Sequence, residues 1–291
     1  MGREKKVERG TGEGFQHGRG FSVRMDRATS AVMNDMLIFD RAAVRAHRDR
    51  AAIRLDRVRP VLDDLAARVL DRLDDTGRWF ATALDLGGRG AVAKLLAARG
   101  IAVVSTDLSP RMAGQAGGVA VAADEEFLPF GAVRFDLIVA HLSLHWVNDL
   151  PGALIQLRRA LKPDGLFLAS LPLIGSLGGL RTALIEAEEA LTGGASPRVS
   201  PFPDLADCAG LMQRAGFSLP IAEREEIGFE YAEPLSLLRD LQAAGETNAT
   251  IARSRRIPPR ALFPAALAAL APDDGKLRVP LHMAVLTGWG S

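Results

Sequence analysis

The residues of this 291-residue chain best suited to chemistry form a run of acid and glycine, Asp85-Leu86-Gly87-Gly88-Arg89-Gly90. The apolar residues just before it read as a strand, and 91–98 follow with helical spacing. A strand that ends on a carboxylate, turns through glycines and opens a helix lets backbone N–H groups approach a ligand, because no Cβ intervenes. Two more apolar runs end on acids, 101–105 before Asp107 and 119–123 before Asp124 and Glu125. A lone strand-end aspartate is usually a turn former. Three in order around a glycine turn point instead to one ligand-binding rim of a parallel sheet. There a carboxylate after the second strand suits ribose hydroxyls, and one after the third suits an adenine amino group. The Lys-Ser/Thr pair of a phosphate-binding loop is absent, which removes the main support for nucleoside triphosphate chemistry.

NAD and S-adenosylmethionine both fit this outline. The dinucleotide fingerprint needs glycines spaced G-x-G-x-x-G to admit a pyrophosphate. Residues 85–90 instead place an acid ahead of the glycines, where it would repel a pyrophosphate and accept from the amino end of a methionine moiety. That favours S-adenosylmethionine. His141, His145 and Trp146 follow the fourth predicted strand. His145 is a candidate general base, or with Trp146 it packs a loop against a lid. Trp146 and Phe130 either line an adenine pocket or belong to the core. Arg181, Arg239, Glu246 and Asn248 lie in the later part, where the polar stretch from Asp240 to Asn248 either faces a substrate or caps a helix. The five histidines are scattered and no metal site is read.

The elements that must position these residues alternate from residue 80 onward. Strands are expected at 80–86, 101–107, 119–123, 135–140 and 165–171, with helices at 91–98 and 149–161 between them. Continuous apolar strands of this kind belong to a parallel sheet covered on both faces. Helices at 177–191, 205–215, 234–244 and 259–270 surround two late strands at 221–231 and 282–289. The expected fold is α/β, a Rossmann-like, mostly parallel seven-stranded sheet with helices on both faces and a helical insertion or lid. The expected organisation is a disordered arm over 1–32, a helical segment over 33–79, a cofactor-binding core over 80–172, and a lid with the remaining strands over 173–291. Residues 41–59 are dense in arginine, a run that either forms a solvated helix face or covers a substrate cleft.

A formal net charge of +1 gives no global field to attract nucleic acid or an anionic membrane. No apolar run reaches the ~18–20 residues that span a bilayer. The single cysteine, Cys208, excludes an intramolecular disulfide and a cysteine-cluster zinc site. A reducing cytoplasm is the expected location.

The strings Asp-Leu-Gly-Gly-Arg-Gly, Ser-Thr-Asp-Leu-Ser-Pro-Arg-Met (105–112), Phe-Asp-Leu-Ile-Val-Ala (135–140) and Leu-Lys-Pro-Asp-Gly-Leu-Phe (161–167) resemble class I S-adenosylmethionine-dependent methyltransferases. Met-Leu-Ile-Phe-Asp-Arg (36–41), Ala-Asp-Glu-Glu-Phe-Leu-Pro-Phe (123–130) and Leu-Ser-Leu-His-Trp-Val-Asn-Asp-Leu-Pro (142–151) are similar to one branch. That branch holds the methyltransferase-like assembly factor of respiratory complex I, near the biotin-pathway methyltransferases. The resemblance implies a bound S-adenosylmethionine. Asp85, Gly87, Gly88 and Gly90 would form the first motif, Asp107 would hold the ribose, Asp124 and Glu125 the adenine side, and His141 would adjoin the cofactor. It implies a protein substrate, with three readings left open: methyl transfer, hydroxylation of an arginine on a complex I subunit, or a non-enzymatic assembly scaffold. The family's motif is one residue longer than 85–90, and Gly88 is expected to absorb the difference through a positive φ.

Overall fold

The computed structural model describes residues 37–270 and 275–290. The expected disordered arm over 1–32 lies outside them. Seven strands form one sheet in the order β3-β2-β1-β4-β5-β7-β6. They are β1 (Thr82–Leu86), β2 (Ala102–Asp107), β3 (Val119–Ala122), β4 (Phe135–His141), β5 (Leu161–Pro172), β6 (Ser218–Tyr231) and β7 (Leu277–Trp289). The first five pair in parallel, and β7 runs antiparallel between β5 and β6. This is the expected Rossmann-like sheet.

Ten helices accompany it among the described residues: α1 (Arg41–Ala51), α2 (Arg59–Leu70), α3 (Arg72–Asp75), α4 (Ala91–Ala98), α5 (Pro110–Ala113), α6 (Leu150–Ala160), α7 (Gly178–Thr192), α8 (Leu205–Arg214), α9 (Pro234–Ala244) and α10 (Leu262–Ala269). Strand alternation divides the core between the two faces of the sheet. Leu137, Val139, Leu166 and Leu168 bury with α2 and α4 in one cluster. Ile138, Phe167 and Ala169 bury with α6 and α8 in the other, where Phe167 stacks on Phe217 at 4.9 Å. A third cluster joins α7, α9 and α10 to Phe229, Tyr231, Leu277 and Val279 at one end of the β6–β7 pair.

The chain leaves β1 for β2 and β3 on one side, then returns to the other side of β1 for β4 and β5. The carboxyl ends of β1 and β4 therefore flank the switch point, where such sheets open toward ligands. Two segments close over that end. The backbone N–H groups of Ile38 and Phe39 donate to Asn148 Oδ1 at 2.9 and 2.8 Å, and Asp40 N–H donates to Ala249 O at 2.8 Å. These bonds set α1 and the 245–250 loop side by side, with Asp40 capping α1 through Ala43 N–H.

Gly90 precedes α4 with φ +82°, and a Cβ there would lie 2.6 Å from the backbone oxygen of Gln115. Gly90→Ala is therefore expected to cost about 2–4 kcal/mol, combining left-handed strain with overpacking. Urea unfolding measures it, and an unchanged midpoint would refute this account of the turn.

Candidate active site

β1 delivers Asp85 to the switch point, buried beneath the turn it leads into. Ser105 Oγ on β2 donates to Asp85 Oδ2 at 3.3 Å, Oδ1 has no side-chain partner, and the backbone N–H groups of Gly88 and Ala93 help to hold the carboxyl's charge. A Cβ on Gly88 would fall 1.9 Å from that Oδ1. Gly88 is thus required by space. Its expected positive φ is not found: Gly87 (+67°), Arg89 (+52°) and Gly90 (+82°) take the left-handed conformation instead. The short turn is closed by glycines on both sides and by Arg89, whose Cβ makes that conformation cost about 1–2 kcal/mol. Burial pushes the Asp85 carboxyl up to about 7, against the bond from Ser105.

The acids at the ends of β2 and β3 are engaged by α1. Arg48 is fully buried, and its Nη1 donates to Asp107 Oδ2 at 2.8 Å and Glu125 Oε1 at 3.2 Å. Asp107 Oδ1 accepts from Ser109 N–H at 2.8 Å. Burial raises the Asp107 carboxyl even against Arg48. Burial opposes the Arg48 charge too, but Asp107 and Glu125 outweigh it and hold the guanidinium protonated. Arg41 reaches Asp124 Oδ1 at 2.6 Å, Glu125 Oε2, and Trp146 O at 2.8 Å. Arginines of the 41–59 run thus turn inward onto the rim, with Arg41 and Arg48 two helical turns apart on one face of α1.

The turn also reaches the other way. The Arg89 guanidinium is buried, bonds to Leu142 O at 3.1 Å and pairs with Glu246 just beyond α9. Glu246 Oε2 accepts from Trp146 Nε1 at 2.8 Å and lies 2.8 Å from His145 Nε2. Burial works against its charge, yet His145 and Arg89 outweigh burial and hold the carboxyl down to about 2. His145 Nδ1 is buried without a side-chain or backbone partner. Arg89, His145, Trp146 and Glu246 line a cavity of about 480 Å3. Its other walls are mostly apolar, with Leu62, Leu180, Phe202, Phe229 and Leu237 among them. A cavity of this size with few polar groups has the character of a small-ligand or side-chain site.

His145, Trp146 and Asn248 all border this cavity, and Asp85, Asp107, Asp124 and Glu125 do not. Asn248 spends its side chain on the chain itself, donating to Pro197 O at 2.7 Å and accepting from Thr250 N–H at 3.0 Å. His141 is buried at the end of β4 with Nδ1 2.7 Å from Ser170 Oγ, and burial drives it down to about 3, so it is neutral. Phe130 packs edge-on against Phe135 in the core. Trp146 packs edge-on against Phe39 at 5.3 Å. Arg181 ties α7 to Ser200 O at 2.7 Å. Arg41 and Arg48 were not read as site residues; their helical spacing is the one signal for them. Among the described residues, no cluster of His, Cys, Asp or Glu is placed to hold a metal ion.

The glycines and strand-end acids stand in the order expected of an S-adenosylmethionine site, with Arg48 and Arg41 already holding the acids after β2 and β3. The glycines leave out a Cβ where Ser143, Asp85 and Gln115 crowd the turn, and acids stand at or just past the ends of β2 and β3. The sequence profile of the methyltransferase domain matches residues 84–169. The mitochondrial arginine-hydroxylase NDUFAF5 of Danio rerio is 34% identical, covering 87% of this chain and 83% of the relative. The Homo sapiens protein of that name is 36% identical over 87% of this chain and 76% of its own. The malonyl-[acyl-carrier protein] O-methyltransferase of Halorhodospira halophila is 33% identical over 88% and 90%. The solved YcgJ protein of Bacillus subtilis shares the fold, with a TM-score of 0.52 at 15% identity, covering 77% of this chain and 98% of that one. The chain belongs to the class I S-adenosylmethionine-dependent methyltransferase family. Its relatives divide between proteins named for arginine hydroxylation and for methyl transfer. The expectation of a cytoplasmic location is corrected by these names, since the animal relatives are called mitochondrial.

Glu246→Ala removes the carboxylate shared by Arg89, His145 and Trp146. Leaving a buried guanidinium unpaired is expected to cost about 3–5 kcal/mol. Chemical denaturation should show that loss together with a shift in Trp146 emission; wild-type stability would exclude the cluster as a structural tie.

Proposed function

We propose that this enzyme binds S-adenosylmethionine on the rim formed by Asp85, Gly87, Gly88, Gly90, Asp107, Asp124 and Glu125, beside His141. In this reading it modifies a protein side chain brought into the cavity beside His145 and Trp146. The observation that carries the proposal is the joining of two sites by one ion pair. Arg89, within the glycine turn, meets Glu246, which orients the imidazole facing the acceptor side. When bound, the cofactor supplies an electrophilic methyl on a sulfonium. Glu246 fixes the His145 ring at the cavity wall, where His145 is the candidate general base for the attacking nucleophile. The apolar walls exclude water, and alignment supplies most of the rate. Asn248 supports the wall of the acceptor cavity.

A second reading is favoured by the relatives named arginine-hydroxylase: an arginine of a complex I subunit is hydroxylated during assembly, with dioxygen as oxidant and an external two-electron donor reducing its second oxygen atom to water. The names of these relatives support that partner. Mass spectrometry of complex I subunits from wild-type and deletion strains separates the two. A wild-type-only gain of one methylene supports methyl transfer, a gain of one oxygen atom supports hydroxylation, and identical masses would sink both hydroxylation and methyl transfer on complex I.

The cofactor site carries its own pH signature. Asp85 titrates near 7, and only its ionised form attracts a cationic ammonium. Below that value the proton must first be displaced, so affinity for S-adenosylmethionine should rise as pH increases from about 5.5 to 7.5. Asp85→Asn should weaken binding about tenfold or more at the upper end and flatten the profile. Calorimetric titration checks this, and a pH-independent wild-type affinity would remove Asp85 from the site.

A further inference from the structure

The rim acids are not free to meet a ribose. Arg48 lies against the glycine turn itself: a Cβ on Gly87 would be 3.1 Å from Arg48 Nη1 and 3.3 Å from Glu125 Oε1. The same Nη1 occupies Asp107 Oδ2, the carboxylate that suits ribose hydroxyls. The cavity beside His145 stops at Arg89 and Leu142 and does not reach these acids. Arg48 is nevertheless poorly satisfied. Its Nε and Nη2 are buried and have no protein partner, so a fully buried cation holds two idle donors. Breaking the pair with Asp107 is costly, and new partners for the idle donors would offset that cost.

The helix that carries it is fixed at both ends. Asp40 is held by Ala249 O and Arg253, and Ala51 and Leu55 are packed in the core. Arg41 keeps its own bonds to Asp124, Glu125 and Trp146 O. Exchange therefore falls to the Arg48 side chain rather than to a swing of α1. Glu125 stays within its reach as a counter-charge when Asp107 is surrendered, and an amino-acid carboxylate on the ligand would satisfy the idle donors.

We propose that Arg48 sets the cofactor affinity by competing with the ribose for Asp107. It pairs with Asp107 in the cofactor-free chain and yields that carboxylate on binding. The inference rests on the proposed cofactor reading, and the experiment separates the two. Full-length wild type, Arg48→Gln and Arg48→Lys are titrated calorimetrically with S-adenosylmethionine, and the wild-type complex is crystallised. Expected are at least about tenfold tighter binding by Arg48→Gln than by wild type, near-wild-type affinity for Arg48→Lys, and an Arg48 guanidinium parted from Asp107 in the complex. Should Arg48→Gln fail to fold, the crystal structure decides alone. A bound cofactor with Arg48 still on Asp107 overturns the competition and leaves the cofactor reading standing. No binding by any folded variant overturns both.

Discussion

Buried charge governs this molecule at the carboxyl end of its sheet. Asp85, Asp107 and Glu125 are buried there, with Asp124 and Glu246 at the margins and the guanidinium groups of Arg41, Arg48 and Arg89 among them. Charges out of water must be paired or neutralised. That requirement recruits distant parts of the chain: α1 to the ends of β2 and β3 through Arg48 and Arg41, and the loop after α9 to the β1 turn through Glu246. The apolar core beneath is divided between two sheet faces and packs α2, α4, α6 and α8. The core makes the platform, and the ion pairs close its upper end.

The platform was legible because its signals are local. α4 ends at a glycine with φ +79° and α9 opens with a proline, and both helices have the bounds their spacing and terminal residues indicate. Strand ends were less so. β5 begins at Leu161, before the Lys-Pro-Asp-Gly stretch that reads as a helix stop, because Leu161 pairs with Phe135 across an irregularity in the ladder. β7 is longer than its apolar alternation because residues 277–282 pair with residues 226–231 of β6 beyond the end of β5, and β6 starts early, at Ser218 opposite Trp289.

The site divides along the same line. Strand-end acids and turn glycines declare themselves by neighbours in sequence. Arg48 meets Asp107 across 59 positions and Arg89 meets Glu246 across 157, and no local pattern announces such pairs. Gly88 shows the difference within one turn. Its identity was legible, but its reason was not, since only the folded chain brings the Asp85 carboxylate beneath it.

Arg89 explains how a turn one residue short can still serve a site. A non-glycine residue at φ +52° is strained, and strain persists where surrounding bonds over-determine it. Here the bonds are those of the side chain, to Leu142 O and Glu246. The same carboxylate fixes His145 and Trp146. The strained backbone, the rim and the imidazole are therefore parts of one bonded unit, and none can shift without the others losing partners. Methyl transfer and oxygen insertion make different demands on a reacting group, but both require an acceptor held in one orientation beside the rim. Under the proposed function, a unit rigid through Arg89 and Glu246 meets that requirement whichever atom is transferred.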